Sequence, residues 1–200
     1  MKNRDFFLLA LLLIGITGCA GKKLPPVSTY TLYPALDTFY LPKSQEGKPA
    51  GILMLGRMGS SHVFNAREII YSDQRYGQSS YAYSRWSDSP TIMLRLIFQE
   101  ALEKSGRYIA VVPYSSQSKS DFLLESTLLD FSHRVNDDGT SDGLIKIHFN
   151  LIDNNTSRVI KSRNFVSSLP VAPPINAGNA VAALNKAATI VTKELVDWLR

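Results

Sequence analysis

Ile145, Ile147, Phe149 and Leu151 alternate with Lys146, His148 and Asn150. Successive side chains of a β-strand point to opposite faces. A two-residue apolar period therefore demands a sheet with one covered face and one wet face. The preceding stretch, Phe122 to His133, is also strand-like and leads in through the turn-rich Asn136-Asp137-Asp138-Gly139. On the other side, Asn154-Asn155 is expected to take the positive-φ positions of a tight hairpin running into Arg158 to Val166. The expectation is a meander of three long antiparallel strands whose apolar face needs a lid.

Two segments are suited to form that lid. Ser89-Pro90 places a capping residue before a proline at the first helical position, where a missing N–H is harmless. Leu94, Ile97, Phe98, Ala101 and Leu102 then share one face, and Gly106 fits the stop. From about Ala177 to Leu199, Val181, Leu184, Ala188, Val191, Leu195 and Trp198 recur in three- and four-residue steps. Their polar side is not markedly cationic, which favours a helix docked on its own sheet over one lying on a membrane. Shorter strands are expected at Thr29–Tyr33, Gly51–Met58 and Tyr108–Val112. The fold class is α+β: a mixed, largely antiparallel sheet with two amphipathic helices packed on it.

The N-terminus belongs to no such domain. Met1-Lys2-Asn3-Arg4 carries two positive charges, Phe6 to Ile14 is unbroken apolar sequence, and Ile16-Thr17-Gly18-Cys19 follows. This is the layout of a secretory signal. Its apolar run is short of the about 20 residues that a hydrocarbon core of roughly 30 Å requires. An aliphatic residue and two small ones before a cysteine form a bacterial lipobox, in which the sulfur takes a diacylglycerol and the new N-terminus an acyl chain. Cys19 is the only cysteine, so it has no disulfide partner within the chain. The reading is a signal peptide at 1–18, a lipidated tether at 19–28 and a single domain at 29–200. Ala20, where aspartate would favour inner-membrane retention, points to the outer membrane and the periplasm. The chain carries 22 Lys+Arg against 17 Asp+Glu, a net charge of +5. Its basic residues are scattered, which argues against a nucleic-acid partner.

Chemistry is sparse. His62, His133 and His148 lack metal-ligand spacing. Gly56-Arg57-Met58-Gly59 resembles part of a phosphate loop but lacks the Gly-Lys-Ser/Thr ending, and is read as a strand end. No serine lies in Gly-x-Ser-x-Gly or Ser-x-x-Lys. Asp137, Asp138 and Asp142 do not have calcium-loop spacing. A non-catalytic protein without a cofactor, apart from the lipid on Cys19, is expected. One stretch stands out: Tyr71, Tyr76, Tyr81, Tyr83 and Trp86 among serines, glutamines and arginines. Tyr and Trp join an apolar body to a polar tip and are enriched at interfaces. Tyr71, Tyr81, Tyr83 and Trp86 are therefore candidate partner or lipid contacts. The alternative is an antiparallel hairpin, Ile69–Tyr71 with Tyr81–Tyr83, whose rings cover the sheet edge.

The order of landmarks resembles a known family. A lipobox precedes Tyr30-Thr31-Leu32, Ile52–Leu55, Ile69-Ile70-Tyr71, Tyr81–Tyr83 and Arg85-Trp86 ahead of Pro90. The amphipathic helix, Tyr108–Val112, Leu128-Leu129-Asp130-Phe131 and a closing Asp197-Trp198-Leu199 complete it. This set is similar to the auxiliary lipoproteins of Mce-type ABC lipid transporters, the PqiC-like family. The resemblance implies an outer-membrane accessory protein facing the periplasm and working with a tunnel-forming MCE-domain partner, anchored to the bilayer through Cys19, with homo-oligomers possible in the family. Other classes of function remain open from the residues alone: regulation of a cell-wall enzyme, a secretion-pore subunit, or lipid carriage in an internal cavity.

Overall fold

The computed structural model describes residues 24–36, 50–72 and 76–200. The signal segment and Cys19 lie outside the described residues. Nine strands form one mixed, curled sheet, and two helices cover one of its faces. The strands are β1 (Ser28–Tyr30), β2 (Ala50–Leu55), β3 (Gly59–Ser60), β4 (Glu68–Ser72), β5 (Ser79–Trp86), β6 (Tyr108–Pro113), β7 (Phe122–Val135), β8 (Ser141–Asp153) and β9 (Arg158–Pro170). The helices are α1 (Pro90–Lys104) and α2 (Ala177–Trp198), and a short 3-10 turn spans His62–Asn65.

The expected meander is present: β7, β8 and β9 pair antiparallel along almost their whole length. In β8 the odd-numbered residues Ile145, Ile147, Phe149 and Leu151 are buried, while Lys146, His148 and Asn150 lie on the other face. The hairpin turn departs from expectation. Asp153 accepts the N–H groups of Asn155 and Thr156, and Ser157, not either asparagine, takes the left-handed conformation. A carboxylate two or three residues upstream organises the turn, so a longer loop replaces the two-residue one.

β7 is the axis of the sheet. One edge runs beside β8; the other is shared in sequence by β2 at Leu53–Leu55, β3 at Gly59–Ser60 and β4 at Tyr71–Ser72. All three join β7 in parallel, as β6 joins β2 and β1 joins β5. The sheet is thus antiparallel in its long ladders and parallel in its short ones. β1 is shorter than the predicted Thr29–Tyr33, because past Tyr30 the chain is held by a helix instead. Asn185 on α2 accepts the Tyr33 N–H and donates to the Thr31 carbonyl.

Both helices lie where the sequence puts them. α1 begins at Pro90 and stops before Gly106, whose φ of 62° suits glycine. Ser89 does not cap through its side chain; its hydroxyl pairs with Thr91, which donates to Asn65. α2 is capped by Asn176, which accepts the Asn179 N–H. The two helices meet the sheet in a run of edge-to-face rings, Phe98–Phe149–Phe165–Trp198, with centroids 5.4 to 5.6 Å apart. Ala180, Ala183, Ala187 and Ala188 are buried and let α2 approach closely.

Candidate functional site

Two surface regions gather the polar and aromatic chemistry. The first is the β4–β5 hairpin. Its strands pair antiparallel, with Tyr71 opposite Ser79 and Ile70 opposite Ser80. The Tyr71 and Tyr81 rings meet at 5.1 Å, and the Tyr81 hydroxyl lies 2.9 Å from Nδ1 of His133 on β7. Both tyrosines are half-buried, and burial together with Tyr71 pushes the Tyr81 phenol above its ordinary range. His133 is fully buried, and its second nitrogen, Nε2, has no hydrogen-bond partner among the described residues. Desolvation pushes this imidazole below its ordinary value, with Asp142 pulling weakly the other way. Tyr83 is 43% exposed and Tyr76, in the connecting loop, is 93% exposed.

Trp86 does not join this surface. It is 1% exposed, pairs with Tyr30 of β1 and sets its ring edge-on to Phe131 at 5.4 Å. A buried indole packed against Phe131 offers no surface to a partner, so it leaves the set of candidate contacts. Tyr71, Tyr81 and Tyr83 stay together on the hairpin, the first two as its packed base and Tyr83 as its open part.

The second region is the wet face of the sheet, which the residue-type search passed over. A groove of about 260 Å³ lies between Arg57 and Gly59 on one side and Glu125, Thr127, His148 and Asn150 on the other. His148 is fixed there: Nδ1 lies 2.9 Å from Asn164 Oδ1, and Nε2 is 3.1 Å from Asn150 Oδ1 and 3.3 Å from the Ser162 hydroxyl. On the solvent side of the sheet, as expected, His148 is also the hub of a hydrogen-bond network. The Arg57 guanidinium also sits 4.9 Å from the centre of the Tyr114 ring, and Arg95 of α1 sits 5.4 Å from the same ring. The alternation in β8 put His148 and Asn150 on one face. Arg57 meets Tyr114 because β2 and β6 run parallel and end together, with Leu55 opposite Pro113. Among the described residues no cluster of His, Cys, Asp or Glu side chains is arranged to hold a metal, and no helix is long and apolar enough to cross a membrane.

The described residues form an α+β domain whose distinctive groups lie on an exposed hairpin and an open sheet face. Over residues 30–196 the sequence matches the family of ABC-type transport auxiliary lipoprotein components, and the chain belongs to that family. The fold is similar to the crystal structure of protein XCC0632 from Xanthomonas campestris, with a TM-score of 0.74 at 21% identity over 88% of this chain and 94% of that one. A second crystal structure, of an uncharacterised protein, is similar at a TM-score of 0.64 and 14% identity over 88% of this chain and all of the other. No curated protein matches the sequence significantly.

Proposed function

We propose that the protein is a non-catalytic accessory subunit of an ABC lipid transporter, anchored through lipid on Cys19 to the periplasmic face of the outer membrane. There it docks the outer end of a tunnel formed by an MCE-domain partner. The observation that carries this reading is the pairing of a lipobox with a domain of the transport-auxiliary lipoprotein family across residues 30–196. Ala20 supports the outer membrane as the address. We assign docking to the β4–β5 hairpin, where Tyr83 and Tyr76 offer exposed rings above the packed Tyr71–Tyr81 pair.

Affinity purification of the full chain with its lipid anchor tests the reading. Recovery of an MCE-domain protein is the expected result, and its loss on Tyr83→Ala together with Tyr76→Ala maps the surface. Recovery of cell-wall synthases or secretion components alone overturns it.

A further inference from the structure

The strand that joins the N-terminal segment to the domain is fixed in direction. β1 pairs in parallel with the end of β5, Ser28 beside Ser84 and Tyr30 beside Trp86. The Tyr30 carbonyl accepts the Ser87 N–H at 2.6 Å, and Arg85 Nε donates to the Thr29 hydroxyl at 3.5 Å. Downstream, Asn185 of α2 holds the Thr31 carbonyl and the Tyr33 N–H. β1 is thus pinned by the sheet and by a helix. Because the pairing is parallel, the chain read back from Ser28 heads towards the start of β5 and the β4–β5 turn.

Reach then decides which side of the domain lies near the site of anchoring. Leu24 is five residues beyond Cys19, a span of at most about 18 Å when extended. A domain matched over residues 30–196 has a radius of gyration of about 15 Å and is about 40 Å across. The tether is too short to carry the opposite side of such a domain to the bilayer. On the near side, Leu24 and Val27 are 76% and 50% exposed on either side of Pro25-Pro26. Tyr83 directly precedes Ser84, the pairing partner of Ser28, and is open as well. Apolar side chains enter the headgroup boundary of a bilayer, and tyrosine rings are enriched at that depth. Lys22-Lys23 precedes Leu24 in the sequence, and lysines beside a bilayer add attraction to its anionic lipids.

We propose that the face formed by Leu24, Val27 and the start of β5 rests on a phospholipid bilayer and turns the β4–β5 hairpin to the membrane surface. The partner assigned to Tyr83 and Tyr76 is then met at the level of the headgroups. This orientation rests on lipidation of Cys19. The face directs the domain and does not replace the anchor, since stable membrane binding takes more apolar area than two side chains supply.

The test uses the full-length lipidated protein, in which acylation of Cys19 leaves an introduced cysteine as the only free thiol. Ser28→Cys, Ser79→Cys, Leu96→Cys and Asn155→Cys, all at exposed positions, each carry a nitrobenzoxadiazole probe. Leu96, on α1, is a control of apolar character, and Asn155, in the β8–β9 turn, is a polar one. The proteins are reconstituted on vesicles of phosphatidylcholine and phosphatidylglycerol containing spin-labelled lipid. Probes at Ser28 and Ser79 are expected to be quenched and shifted to the blue, and those at Leu96 and Asn155 to behave as they do without vesicles. Leu24→Glu together with Val27→Glu should leave flotation with the vesicles and the thermal midpoint unchanged, and bring quenching at Ser79 down to the level found at Asn155. Flotation reports the anchor and quenching reports the face. A protein that does not float overturns the anchor and the proposal with it. One that floats with Ser28 and Ser79 quenched no more than Leu96 and Asn155, or with quenching unmoved by the two glutamates, overturns the proposal alone.

Discussion

Trp86 and Tyr83 are three residues apart in β5, yet their substitutions belong to different experiments. Truncating Trp86 to Ala empties a site between Phe131 and β1, and the expected loss is about 3–5 kcal/mol, measured by denaturant unfolding. Tyr83→Ala should leave stability within about 0.5 kcal/mol, as for surface changes that touch no special feature. Strand parity does not separate the two, because the pairing of β5 with β4 shifts register between Ser80 and Arg85, and Tyr81 and Trp86 meet His133 and Phe131 on one face of β7. Burial separates them: Trp86 is enclosed and Tyr83 is open, which residue type alone does not tell. His133 carries a pH prediction. Its imidazole is held below its ordinary value by burial, whereas the unfolded chain titrates near 6.5. Its contribution is complete above about pH 6.5 and is lost as pH falls through the lowered folded value, at no more than about 1.4 kcal/mol per pH unit for one proton. Unfolding free energies measured from pH 8 to pH 5 should show this fall. His133→Gln should flatten it, because only the imidazole would gain a charge facing Tyr81 and Asp142 with Nε2 lacking an acceptor.

The contact between α2 and the meander depends on small residues on both sides. A Cβ built on Gly143 would come 2.9 Å from the Leu184 backbone nitrogen and 3.0 Å from the Ala183 side chain. The backbone of a packed helix has little room to move aside. Gly143→Val should therefore destabilise by about 1–3 kcal/mol or more, the range for overpacked cores, with secondary structure retained in far-ultraviolet circular dichroism. A Gly143→Val variant of unchanged stability would mean that α2 does not rest on this strand. At this scale legibility follows locality. The α2 stripe, the α1 boundaries at Pro90 and Gly106, and the β8 alternation are local periodicities, and each is found at its expected place. The sharing of one β7 edge among β2, β3 and β4 is not local. It pairs Leu53 with Phe122 and Tyr71 with His133 across some 60 residues, and no periodicity records such a partner. The groove shares that fate, since Arg57, Glu125 and His148 come from three segments that only the sheet order brings together.

For the whole molecule, the matched domain begins at residue 30, eleven positions beyond Cys19. Cys19 and the domain can therefore be separated experimentally. Each buried methylene contributes about 0.8 kcal/mol to membrane binding, and more than one chain is needed for stable anchoring. Under the proposed lipidation, Cys19→Ser removes every such chain at once. The variant should move from the membrane pellet to the soluble fraction while its thermal midpoint stays with that of the parent protein. Capture of a membrane-bound partner should fall more sharply than any surface change explains, because anchoring sets the effective concentration of one protein at the other. Mixing the purified variant with the purified partner should restore binding to the level of the untethered domain. A Cys19→Ser protein still sedimenting with membranes would place the anchor elsewhere. One that loses partner binding in free solution would make the N-terminal segment part of the interface and not only its leash.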